Sequence, residues 1–146
     1  MYQHILISTD GSDLARKGVD HGLALAKALG ARTTLVTVAE NRFRYVGAAA
    51  GMNADAFVEF AALQQAAAEK VLAEVGEEAA RMGVAADAVC FETTLPAEAI
   101  VKTATERGCD LIVMSSHGRR GLRRMILGSV TSEVVAHSPV PVLVVR

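Results

Sequence analysis

Two rhythms of apolar and polar residues alternate along this chain. His4-Ile5-Leu6-Ile7-Ser8-Thr9 is too short an apolar run for a helix, and Asp10-Gly11-Ser12 ends it as a tight turn. Runs of the same kind recur at Thr33–Val38, Ala88–Thr93, Asp110–Ser115 and Val140–Val145. Between them the spacing changes to steps of three and four. Ala15, Val19, Gly22, Ala26 and Leu29 mark one face of a helix that Ser12 or Asp13 can cap and Gly30 can stop. A long helix is predicted from about Asp55 to Met82, ending at Gly83, with Gly76 weakening it by only about 1 kcal/mol relative to alanine. Pro96 suits the first turn of a helix over 97–107, and a last helix is expected over 129–137. Residues 40–53 read as irregular.

Strand following helix at every step predicts parallel pairing through helical crossovers. Apolar runs without strict alternation predict strands covered on both faces. The expected architecture is a single α/β domain over residues 1–146, a Rossmann-like, doubly wound five-stranded parallel sheet in the order 3-2-1-4-5. Pro139 and Pro141 place the last strand at an edge, where a missing donor is tolerated. An apolar edge invites pairing, so a homodimer through Val140–Val145 is expected.

Composition narrows the function. The chain has 146 residues, 51% hydrophobic and 21% charged, which suits one compact domain and excludes disorder. Charges or helix breakers interrupt every apolar run short of the ~20 residues a bilayer requires, and the start carries no secretory pattern, so no membrane is expected and the chain is read as cytoplasmic. Cys90 and Cys109 are read as two buried thiols. The net charge of −1 conceals an asymmetry. Residues 1–93 hold 8 basic and 12 acidic side chains, and residues 94–146 hold 7 and 4. Arg119, Arg120, Arg123 and Arg124 form one basic loop without aromatic residues, which points to a small anion and not to nucleic acid.

In an open α/β sheet, ligands bind beyond the carboxyl ends of the strands, where strand order reverses. Thr9-Asp10-Gly11-Ser12, Val38-Ala39-Glu40 and Ser115-Ser116-His117-Gly118 occupy such ends, and the last leads to Gly128-Ser129-Val130-Thr131 at a helix start. Gly118 permits close approach of a ligand to the backbone, while the first amides of the helix are unpartnered donors with the dipole behind them. The hydroxyls of Ser129 and Thr131 add donors, a set that fits a phosphate group. The plain alternative is a turn glycine and an ordinary cap. Asp10 reads either as a ribose or magnesium partner or as a turn aspartate, and His117 as a loop histidine without catalytic duty. His4, His21 and His137 are scattered and suggest no metal site. There is no GxxxxGK[ST] loop, no GxGxxG fingerprint and no nucleophile–histidine pair readable from spacing.

Four blocks carry a family resemblance over the whole chain: Ile-Leu-Ile-Ser-Thr-Asp-Gly-Ser, Leu-Ile-Val-Met-Ser-Ser-His-Gly-Arg-Arg-Gly-Leu, Ile-Leu-Gly-Ser-Val-Thr-Ser-Glu-Val-Val and Ser-Pro-Val-Pro-Val-Leu-Val-Val. In this order they resemble the universal stress proteins, whose fold is of the adenine nucleotide alpha hydrolase-like kind. Nucleotide-binding members share Gly, two residues, Gly, nine residues, then Gly-Ser or Gly-Thr. Gly118, the nine residues Arg119–Leu127 and Gly128-Ser129 match that spacing, while the first glycine is Ser115 here. A second departure is Thr94-Leu95, where members often carry glycine.

The resemblance implies ATP with magnesium. Thr9 and Asp10 would lie at the adenine or ribose and Val38 against the adenine. Met114, Ser115, Ser116, His117 and Gly118 would line the ribose and phosphates, and Gly128, Ser129, Val130 and Thr131 would hold the phosphates. The Ser115 hydroxyl is available for a ribose or phosphate oxygen. The resemblance also implies a dimer through the last strand and a role in the stress response. The expected function is an ATP-binding switch, with a nucleotide-free interaction protein or a slow ATPase as alternatives.

Overall fold

The computed structural model describes residues 1–40, 51, 53–117 and 127–146. Five strands and four helices occur in this part of the chain: β1 (His4–Ser8), α1 (Asp13–Leu29), β2 (Arg32–Glu40), α2 (Ala54–Met82), β3 (Ala86–Thr93), α3 (Pro96–Glu106), β4 (Leu111–Ser115), α4 (Ser129–His137) and β5 (Val142–Val145). The strands form one sheet in the order β3-β2-β1-β4-β5, and every pairing is parallel.

Alternation along the central strands divides the core into two layers. Ile5, Ile7, Leu35 and Val113 point to one face, where Val19, Leu23 and Ala26 of α1 and Leu72, Val75 and Ala79 of α2 cover them. Leu6, Val36, Ile112 and Met114 point to the other, under Ala97, Ile100 and Ala104 of α3 and Val134 of α4. Full cover on both faces holds for β1 and β4. The edge strands depart from the expectation: β3 has no fully buried residue, and Leu143 of β5 is 39% exposed. Cys109 is buried, but Cys90 sits on edge strand β3 and is only half-buried, with its Sγ donating to Gln65 Oε1. Both thiols are free, and burial pushes both pKa values up.

Element boundaries follow local chemistry. Ser12 is the cap of α1, its Oγ accepting from Ala15 N, and Asp13 is the first helical residue. Asn53 caps α2 in the same way through Ala56 N. Strand β2 runs on to Glu40, two residues beyond the apolar run, because its ladder with β3 continues through Glu40↔Thr93. Strand β5 starts only at Val142, since Val140 N bonds the Ser138 hydroxyl and Pro141 has no donor.

Two features fix the ends of β1. At its start, Asp110 accepts from Gln3 N with one oxygen and from His4 N with the other, and the buried His4 ring lies 2.8 Å from Thr34 Oγ1 through Nε2. Among the described residues, His4 Nδ1 has no partner within hydrogen-bond geometry. At the other end, Gly11 has φ +76°, and a Cβ there would come within 2.5 Å of Val71 Cγ2 on α2.

Gly11→Ala therefore combines left-handed strain with a clash, and should lower stability by about 1–3 kcal/mol in urea melts. His4 yields a pH prediction. Burial, then Arg32, lower its pKa below 6.5, against smaller raising effects of the Arg107 backbone, Asp110 and Asp87. The unfolded chain thus takes up the proton more readily than the folded one, so this contribution is complete above pH 6.5 and is lost as pH falls through the folded value. Urea midpoints of His4→Gln should fall less between pH 7.5 and pH 5 (roughly the imidazole range) than those of the natural chain.

Candidate functional site

The β1–β4 pairing stops at Ile7↔Val113. Beyond it the two chains turn to opposite neighbours. Thr9 N donates to Val36 O on β2 at 2.9 Å, and Ser116 N donates to Val145 O on β5 at 2.8 Å. At this parting of β1 and β4 the strand order reverses, the place where an open α/β sheet offers a crevice to a ligand. α1 packs against the end of β4. Gly18 lies so close that a Cβ would stand 2.9 Å from Ser115 N and 3.1 Å from Met114 C, so only glycine lets the helix rest there. Gly18 was not singled out among the site residues, although it falls on the buried face with Ala15 and Gly22.

The β1 side is a fixed turn. Thr9 is buried, its carbonyl accepting from Thr37 Oγ1 at 2.9 Å and its own Oγ1 from Gly11 N at 3.2 Å. Asp10 is partly exposed, and its Oδ1 accepts from Ser12 N at 2.9 Å, which is the turn role open to it in the sequence. Val38, half-buried near the end of β2, packs against the α3–α4 core layer.

The β4 side is tied to the start of α4. Gly128 is the N-cap, and no side chain caps the helix. Helices α1, α2 and α3 carry Asp13, Asp55 and Glu98 in their first turns, while α4 carries no acid there. The positive end of the α4 dipole is therefore left uncompensated by the first turn's own side chains. Gly128 N donates to Ser116 O at 2.9 Å, and a Cβ on Gly128 would press to 3.2 Å from that same oxygen. His117 flanks it: the ring Cδ2 would be 3.8 Å from such a Cβ, and its Nδ1 is 3.1 Å from Ser116 Oγ. Ser129 is exposed and Val130 is half-buried at the helix start.

Three expectations need correction. Thr131 is 3% exposed and its hydroxyl donates to Ser115 O at 3.0 Å, so it braces the loop and is not a free donor to phosphate. The Ser115 hydroxyl donates to His117 O at 2.6 Å, so its single hydrogen is committed inside the protein. The Met114 side chain belongs to the α3–α4 core layer, which leaves its backbone as its contribution near the crevice. Ser116, part of the segment expected to line the ribose and phosphates, is tied down through both of its backbone groups. Gly118 and the arginines at 119, 120, 123 and 124 lie outside the described residues. Among the described residues no group of three or more His, Cys, Asp or Glu could hold a metal ion. No helix among them is long and apolar enough to cross a membrane.

This geometry has close parallels. A relative from Thermus aquaticus, described as a universal stress protein, is 37% identical over 147 residues and is matched over all of both chains. The solved structure of MJ0577 from Methanocaldococcus jannaschii superimposes with a TM-score of 0.82 at 31% identity, covering 99% of this chain and 96% of that one. A universal stress protein solved in complex with cAMP gives a TM-score of 0.68 at 25% identity, over 99% of this chain and 97% of its own. The fold is thus the adenine nucleotide alpha hydrolase-like one. The model of the universal stress protein family matches residues 1–146, and with the relatives' identity over the whole chain it follows that the chain belongs to the universal stress protein family.

Proposed function

We propose that this chain is a cytosolic, single-domain nucleotide-binding module of the stress response that takes ATP with magnesium in the crevice between β1 and β4. The observation that carries this reading is the α4 start: Gly128 without a side-chain cap, no acid in the first turn, and its amides beside the β4 turn. The donor set suits phosphate, since backbone amides are compact and the dipole favours negative charge. Ser129, Val130 and Thr131 would hold the phosphates through their main-chain amides, joined by the Ser129 hydroxyl, while Gly128, whose own amide is given to Ser116 O, keeps the approach open. Val38 offers apolar surface for the base, and Thr9 and Asp10 border the ribose end. Magnesium would be carried by the phosphates, with Asp10 as the carboxylate at the turn. The relative solved with cAMP supports an adenylate as the ligand class.

Dimerisation through β5 belongs to the same proposal. The strand closes one edge of the sheet and shows Leu143 to solvent, so a second copy would satisfy its unpaired backbone groups.

Calorimetric titration of the purified chain should give saturable binding of ATP with magnesium below millimolar concentration, and mass spectrometry of released ligand should find an adenylate. Gly128→Val should abolish that binding while the melting temperature shows the fold retained, because the side chain displaces Ser116 O and fills the helix start. No binding at millimolar ATP would turn the reading to a nucleotide-free interaction protein. Phosphate release far above background, lost in Asp10→Ala, would make it an ATPase. Sedimentation should show a dimer for the natural chain and a monomer for Leu143→Lys.

A further inference from the structure

Resting on the nucleotide-binding reading, we infer that Ser115 is a positioning residue: its hydroxyl closes the turn after β4 onto itself and so sets where the α4 amides stand. Ser115 is 8% exposed, and its Oγ donates to His117 O at 2.6 Å, which draws the side chain into the turn and away from the space a ligand would enter. Its carbonyl accepts from the buried Thr131 hydroxyl at 3.0 Å. Between these two bonds, Ser116 O accepts from Gly128 N at 2.9 Å and Ser116 N donates to Val145 O at 2.8 Å. The segment 115–117 is therefore held against the first turn of α4 on one side and against β5 on the other. The floor beneath it cannot yield, because the backbone of Met114 and Ser115 rests on Gly18.

Each bond has a separate task. The Thr131 hydroxyl fixes the helix relative to the end of β4, the Gly128 amide fixes the cap, and the Ser115 hydroxyl holds the His117 carbonyl. Without that hydroxyl the His117 carbonyl loses this donor, and the backbone torsions of Ser116 and His117, which lie between the two ends of the bond, are no longer held. Ser116 O would then leave the Gly128 amide, and the helix start would have to be reordered whenever an anion binds. A preset loop avoids that ordering, which is how a residue that need not touch the ligand raises affinity.

Ser115→Ala tests this in two ways. In the nucleotide-free chain, amide hydrogen exchange followed by NMR should quicken at Ser116 and Gly128, while protection at Ile5, Leu6 and Ile7 in the core stays unchanged. In calorimetry with ATP and magnesium, affinity should weaken about fivefold, the effect of one ordinary hydrogen bond. Thr131→Val, which keeps the shape and removes the other hydroxyl, should move both readouts in the same direction. Unchanged affinity in Ser115→Ala overturns the inference, as does exchange that rises throughout the core, which marks a general loss of stability. If the natural chain takes no nucleotide, the functional reading fails on its own. The exchange data then decide: local acceleration at Gly128 upholds the positioning role and unchanged exchange refutes it.

Discussion

The structure depends on a parting of strands. β1 and β4 are paired in the middle of the sheet, yet beyond Ile7↔Val113 each gives its next backbone bond to its outer neighbour. Hydrogen-bond satisfaction holds the divergence, because a buried amide without a partner is costly and Thr9 N and Ser116 N find their carbonyls on β2 and β5. The parting of β1 and β4 is thus a result of the strand order itself, and the residues at their ends inherit positions from the ladders on either side.

Close packing supports that frame from below. α1 meets the sheet through Ala15, Gly18, Gly22 and Ala26, small residues that bring helix and strand backbones near one another. The turn before it is pinned by Gly11 beneath Val71, and the helix is joined to α2 by Arg16, which reaches Glu78 as well as Asp20. Arg16 is half-exposed, so its ion pairs contribute little beside the buried face. The opposite end of the sheet is closed by Asp110 across the first amides of β1. The two ends therefore differ in kind: one is sealed by a side-chain carboxylate, and the other leaves main-chain donors at a helix start.

Much of the fold is legible in the sequence, for reasons that lie in particular residues. Ile5-Leu6-Ile7 and Leu111-Ile112-Val113-Met114 are apolar at every position because each strand faces two helical layers, and this signals a buried parallel sheet. Gly30, Gly83 and Pro96 mark helix ends by backbone chemistry alone. The edge strands were harder to read, since β3 has the same apolar residues without the same cover and β5 begins after a proline that looked like part of it. For the candidate site, the strand ends are legible in the sequence and the structure shows them, while Gly118 of the glycine spacing lies outside the described residues. The site's internal bonds were not legible. That Ser115 and Thr131 donate to carbonyls of the protein depends on how a turn and a helix meet, and residue type says only that a hydroxyl is present. The segment holding Ser116 was legible as a strand end, but its bonds were not, because it acts through its peptide groups.

The bare start of α4 has a consequence for heredity. Donors that belong to the peptide chain are present whatever residue is encoded, provided the helix begins at the same place and nothing bulky stands at Gly128. Substitution can therefore rewrite most of the surrounding side chains without erasing the feature. What encodes it is a contour of backbone, recorded in a few small residues and in the order of the strands.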